Sequence, residues 1–200
     1  MGTNRLEAFS DGVIAVAITL LVLDIHVPLP AETPSLGHTL ASDWPTYVAY
    51  VISFITIGII WINHHAMISR LRQADHAILI LNLLLLMSIG VLPFATSLMS
   101  TYLKESHGQH LAAVIYSGSL LMMSILFATL NRHILLRKAH FIGADLPLER
   151  RRTILKRGLT GLAPYAIATA LAPVSPYITL AICAAVALFY ALPVASGGQH

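Results

Sequence analysis

Charged residues are scarce in this sequence. Only 10% of its 200 residues are Asp, Glu, Lys or Arg, whereas 56% are hydrophobic and the mean hydropathy is +0.76. An ordinary globular domain carries about 25% charged residues. The composition therefore excludes a soluble globular protein and predicts an integral membrane protein. Because each spanning helix needs about 20 residues, little of the chain is left for a catalytic or nucleic-acid-binding domain.

Cysteine is nearly absent, and the common catalytic motifs are missing. The single cysteine, Cys183, excludes a disulfide framework and a cysteine-ligated zinc or iron–sulfur site within one chain. There is no glycine-rich phosphate loop, no nucleophile elbow and no His-Glu-x-x-His motif. The Thr-Val-Gly-Tyr-Gly filter of the usual potassium channels is absent as well. We therefore predict neither an enzyme nor a cofactor, and the net charge of +3 is too small to indicate nucleic acid.

Long apolar runs make up most of the chain. They are continuous rather than alternating, which indicates helices, since only helices and closed barrels satisfy the backbone in lipid. We predict an all-α fold with a single transmembrane domain over residues 1–195 and a disordered tail over 196–200. The six predicted spans are 6–26, 46–68, 77–101, 110–131, 155–172 and 177–194.

The fifth predicted span has the shortest apolar part and contains Gly161 and Pro164. We expect it to extend backward as an amphipathic helix whose basic residues lie among the lipid headgroups. Asp145 is the predicted N-cap of that helix, and Pro147 is predicted in its first turn.

The basic residues determine the predicted orientation. Six spans place both termini on one side of the membrane. Eleven of the 12 Lys and Arg residues fall on that side, and only Lys104 falls on the other. Because loops rich in Lys and Arg stay in the cytoplasm, we predict that both termini are cytoplasmic.

The first span carries a stripe of mostly small or β-branched residues. At about 100° per residue, Gly12, Val16, Thr19 and Leu23 fall within a sector about 60° wide. Such a stripe either lines a narrow lumen or packs against a neighbouring helix. The spacing alone favours helix packing.

Several polar residues are predicted inside the membrane, where they are costly without a partner. Asp11 lies near the cytoplasmic end of the first span, with Arg5, His64 and His65 as candidate partners. This cluster either pins helices together or takes part in ion passage or proton sensing. Asn82 in the third span also needs a partner from another helix. Adjacent histidines point about 100° apart on a helix, so they are weak evidence for a metal and no metal site is predicted.

The stretch Arg5-x-x-x-Phe9-Ser10-Asp11 resembles the signature of the transmembrane protein 175 family. That family comprises the potassium channel of animal endosomes and lysosomes and its bacterial relatives. The resemblance extends over the whole chain through six spans and scattered motif residues. The further matching residues are Trp61, His64, Asn82, Leu83, Leu92, Pro93, Phe94 and Thr96.

The resemblance implies a homotetrameric potassium channel of the bacterial inner membrane. Its partners would be other copies of the chain, the lipid bilayer, potassium and other monovalent cations. The first helices would surround a central pore that is moderately selective for potassium over sodium. The family's hydrophobic constriction falls on Val16, which is smaller than the usual isoleucine or leucine, and its threonine falls on Thr19.

With the resemblance, the stripe on the first span is interpreted as pore lining rather than packing. The polar cluster is interpreted as a structural or gating network. The predicted pore-lining residues are Gly12, Val16, Thr19 and Leu23. The predicted network residues are Arg5, Phe9, Ser10, Asp11, His64, His65 and Asn82.

Two other functional classes remain open from the sequence. One is a six-helix membrane oxidoreductase with His64 and other histidines as haem ligands, which a Soret absorption band would reveal. The other is a small secondary transporter, a class that uses inverted repeats and broken helices near the midplane. Only Pro93 and Pro164 support the transporter hypothesis.

Overall fold

The computed structural model describes residues 3–26, 35–142 and 146–192. The predicted tail over 196–200 and the predicted N-cap Asp145 lie outside these ranges. Within them the chain is all-α, as predicted, apart from connecting turns and one isolated bridge between Leu71 and Ile142. The helices are α1 (Thr3–Leu20), α2 (Leu36–Ser42), α3 (Trp44–Ile68), α4 (His76–Tyr102), α5 (Gln109–Arg132), α6 (Leu148–Thr160), α7 (Leu162–Leu171) and α8 (Pro176–Ala191).

Four helical segments in the described part of the chain are long and apolar enough to cross a membrane. The first segment consists of α1 and the 3₁₀ turn that follows it. The last segment consists of α5 and the π-helical turn that follows it. The four segments confirm the long apolar helices of the first four predicted spans, with ends that differ by at most three residues except that the fourth continues six residues further. They are Thr3–Asp24, Trp44–Ile68, His76–Tyr102 and Gln109–Arg137.

The fifth predicted span, 155–172, is divided between two helices, α6 and α7, and its role as a membrane crossing stays a prediction. The chain turns at Gly161, which ends α6 and begins α7. Pro164 explains the break, because proline has no N–H for the carbonyl four residues earlier and its ring crowds that carbonyl. Pro147 lies at the N-cap of α6, one position before the helix begins, rather than in its first turn.

Helix α4 is central to the packing, since it lies against α1, α3 and α5. Its core side chains, such as Leu85 and Ile89, are fully buried. A polar cluster joins three helices: the Ser53 hydroxyl lies 2.8 Å from the Thr96 hydroxyl and 3.0 Å from that of Tyr116. Buried polar groups without a partner are costly in lipid, so this cluster helps to fix α3, α4 and α5 against one another.

Asp75 fixes the start of α4. Its Oδ1 accepts a hydrogen bond of 3.0 Å from the Ile78 N–H, and its Oδ2 lies 2.8 Å from Lys138 Nζ. The Lys138 ammonium, followed by the Ile78 amide, holds the pKa of the Asp75 carboxyl below its usual value. The same contact ties α4 to the segment that follows α5.

We expect Asp75→Ala to lower the free energy of unfolding by about 1 kcal/mol, mainly through the lost cap, because an exposed ion pair adds little. The folded-state pKa of Asp75 is lowered, so its contribution is present at neutral pH and is lost as the pH falls through that pKa. The difference between variant and wild type should therefore shrink below about pH 4. Unfolding in detergent at neutral and acidic pH measures this, and a difference that does not change with pH would contradict it.

Candidate functional site

Helix α1 has one buried and one exposed face. Leu6, Ile14 and Ala17 pack into the core, whereas Val16 is 59% exposed and Leu23 is 68% exposed in the single chain. Gly12 and Thr19 are exposed on the same side. The four predicted pore-lining residues therefore share one open face, and their role in a pore stays a prediction.

An open apolar depression of about 540 Å³ lies along this face. Most of its lining comes from α1, and Gly90 of α4 closes one side. A Cβ atom built on Gly12 or on Gly90 would meet nothing within 4 Å, so neither glycine is needed for packing within one chain. The α1 residues that line the depression are Ala8, Phe9, Gly12, Val13, Val16, Ala17 and Leu20.

The Thr19 hydroxyl has its proton committed to the backbone. It donates to the carbonyl oxygens of Ala15 and Val16, at 3.0 and 2.9 Å. A hydroxyl has one proton and two lone pairs, so the exposed oxygen of Thr19 can only accept from or coordinate a group outside the helix. Cations are coordinated by oxygen lone pairs of this kind.

A buried chain of hydrogen bonds connects three helices. His64 Nε2 of α3 lies 2.7 Å from Asn82 Oδ1 of α4. The Asn82 amide donates to the Ser10 hydroxyl of α1 at 3.0 Å, and Ser10 donates to the Leu6 carbonyl at 2.8 Å. The side chains of Ser10, His64 and Asn82 are all fully buried. This chain therefore holds the N-terminal half of α1 against α3 and α4.

Asp11 and His65 make different contacts, at the seam between α1 and α3. The Trp61 indole N–H donates to Asp11 Oδ1 at 2.9 Å. His65 Nδ1 lies 3.0 Å from Glu7 Oε1. The rings of Trp61 and His65 also lie side by side, with centroids 6.0 Å apart. We call Glu7, Asp11, Trp61 and His65 the seam cluster.

The structure thus separates the residues that were predicted to form one network. Asp11 accepts a hydrogen bond from Trp61, which was not among its candidate partners Arg5, His64 and His65. Of those three, His65 has a ring nitrogen within 4.8 Å of an Asp11 oxygen. Arg5 is exposed and takes part in none of these hydrogen bonds. Phe9 is 54% exposed and belongs to the open face of α1 rather than to the network.

Sequence reasoning missed Glu7 altogether, and it noted Trp61 only as a motif residue. One signal was available for Glu7, which stands four residues before Asp11. Residues at this spacing lie on the same helix face, so both carboxylates point toward α3. The contact with His65 depends on how α1 and α3 pack, which the sequence does not state.

Comparisons with known proteins agree with this fold. The model of the family described as "Endosomal/lysosomal potassium channel TMEM175" matches residues 5–93. A potassium channel of Streptomyces collinus is 41% identical over 188 residues, which is 94% of this chain and 91% of that protein. The crystal structure of a lysosomal potassium-selective channel TMEM175 homolog from Chamaesiphon minutus superposes with a TM-score of 0.85. Its identity is 36%, and 98% of each chain is covered.

A vertebrate relative matches over a shorter stretch. The endosomal/lysosomal proton channel TMEM175 of Gallus gallus is 41% identical over 117 residues, which is 54% of this chain but only 23% of that protein. Together, the fold and these relatives define a multi-pass helical membrane protein of an ion-channel class. More narrowly, the chain belongs to the TMEM175 family.

Proposed function

We propose that four copies of this chain form a channel that conducts potassium in preference to sodium across a bacterial inner membrane. The observation that carries the proposal is the exposed face of α1. In one chain it leaves Val16 and Leu23 open, together with the outward-facing oxygen of Thr19. Four such faces around one axis would form a narrow lumen, and the potassium channels among the relatives support this role.

The proposed assembly has six membrane crossings in each chain and cytoplasmic termini. The last two crossings would come from α7, extended by α6, and from α8. Helix α8 has 16 residues and spans about 24 Å at 1.5 Å per residue, which is shorter than an average hydrocarbon core. The distribution of basic residues supports the orientation, because 11 of the 12 would lie on the cytoplasmic side.

The Val16 ring is the proposed constriction. Its methyl groups offer no hydrogen bond to replace the water around an ion, so a passing cation gives up part of its hydration shell at a cost. Potassium loses water at lower cost than sodium, and an apolar ring therefore favours potassium. Four Thr19 oxygens, one turn further along α1, would replace part of the lost water.

Flux from proteoliposomes tests this function. Vesicles loaded with potassium chloride and diluted into sodium chloride, with a proton ionophore and a pH-sensitive dye, should report a rapid potassium efflux. Vesicles loaded with sodium chloride and diluted into the chloride salt of a large impermeant cation should give a slower signal than potassium-loaded vesicles diluted in the same way, and protein-free vesicles should give none. The absence of flux from a correctly assembled tetramer would contradict the proposal.

A further inference from the structure

Three metal-ligating side chains converge in the seam cluster. Glu7 and Asp11 of α1 and His65 of α3 each offer one ligand atom, and these atoms lie within 4.8 Å of one another. In the single chain the side chain of His65 is 51% exposed and that of Glu7 is 24% exposed, so the chain itself does not enclose the site. We propose that these residues form a binding site for a divalent transition-metal cation of the Zn²⁺ class.

The donor set fits such an ion. Imidazole nitrogen and carboxylate oxygen are both zinc ligands, and three protein ligands leave a fourth position for water. Zinc bonds of about 2.1 Å in a tetrahedron place ligand atoms about 3.4 Å apart. His65 Nδ1 and Glu7 Oε1 are already 3.0 Å apart. The third ligand atom, from Asp11, lies within 4.8 Å of both, a separation that a change of side-chain torsion angles can shorten.

The surroundings of the ligands also favour a cation. Glu7 and Asp11 stand four residues apart on α1, where two like charges repel each other. A divalent ion between them removes this repulsion. The Trp61 N–H donates to Asp11 Oδ1 and orients the carboxylate, as hydrogen bonds to ligating carboxylates do in known metal sites.

The position of the site determines which helices a bound ion would connect. Glu7 and Asp11 lie about 100–180° around α1 from the Gly12–Val16 stripe, so the ion sits between α1 and α3 of one chain. It does not sit on the open face. Bound metal would thus connect the N-terminal end of α1 to α3 and stabilise the folded state.

Trp61 provides a direct reporter of binding. The chain has two tryptophans, and Trp44→Phe leaves only the one that touches the site. In detergent, Co²⁺ should quench the Trp61 fluorescence of this protein with saturation at one ion per chain, and Zn²⁺ should compete. Calorimetry with Zn²⁺ should give a dissociation constant in the micromolar range.

Variants distinguish metal binding at this site from metal binding at other histidines. His65→Ala and Glu7→Gln should each weaken Zn²⁺ binding about tenfold or more and abolish the rise in Tm that the metal causes. His76→Ala, a matched control at another exposed histidine, should bind as the wild type does. Equal binding by His65→Ala and the wild type, or no binding at millimolar Zn²⁺, would overturn the proposal. Because these readouts need no ion flux, failure of the proposed channel function would leave them interpretable.

Discussion

Val16→Ala is expected to bring the fluxes of potassium and sodium close together and to raise the total flux severalfold. Val16 is 59% exposed in the single chain, so little of its side chain contributes to the core. Alanine removes two methyl groups from each of four copies and widens the proposed ring. Cations then keep more of their water, and the advantage of potassium shrinks. The potassium-to-sodium flux ratio in proteoliposomes measures this.

Met122→Ala is the matched control for that experiment. Met122 is 53% exposed near the middle of α5 and is absent from the open face of α1. The Met122→Ala variant also loses apolar side-chain atoms, yet its potassium-to-sodium flux ratio should stay at the wild-type value. An unchanged ratio in a Val16→Ala tetramer would count against Val16 as the constriction.

Asn82→Leu is expected to lower the free energy of unfolding by about 1–3 kcal/mol, the usual cost of leaving buried polar groups unpaired. Asn82 is fully buried and bonds to both His64 and Ser10, so leucine removes the connection between three helices. Hydrogen bonds inside membranes average only about 0.6 kcal/mol each, which places the loss toward the lower end of that range. Reversible denaturation in mixed micelles measures it.

Asn63→Leu provides the comparison. Asn63 is exposed on α3 and only donates to the Ile59 carbonyl of its own helix, at 2.8 Å. The same substitution there leaves no buried partner unpaired, so stability should change by less than about 0.5 kcal/mol. Equal losses for the two variants would show that the buried chain of hydrogen bonds does not hold the helices together.

Much of the fold follows from hydropathy alone. The second, third and fourth spans were predicted at 46–68, 77–101 and 110–131, and the helices Trp44–Ile68, His76–Tyr102 and Gln109–Arg132 differ from them by one or two residues. Long apolar runs with clear polar boundaries leave little freedom in where a helix ends. The break at Gly161 was harder to predict. It arises because the Pro164 ring crowds a backbone carbonyl, and hydropathy contains no information about such steric clashes.

The polar residues show where sequence reasoning stops. Ser10 and Asp11 are neighbours in the sequence, yet Ser10 faces Asn82 of α4 and Asp11 faces Trp61 of α3. His64 and His65 divide in the same way, one toward Asn82 and the other toward Glu7. A turn of about 100° per residue separates each pair. The partner of each residue depends on the rotation of the helices, which no local pattern encodes.

Thiol modification at position 16 tests the central claim, that α1 lines the ion pathway, most directly. The single cysteine is buried, so a Cys183→Ala background accepts one new thiol at a chosen site. In that background, a water-soluble methanethiosulfonate should react with Val16→Cys and strongly reduce potassium flux. It should leave Met122→Cys unaffected, since a thiol in lipid is poorly ionised and unreactive. Full flux through completely modified Val16→Cys would contradict the account.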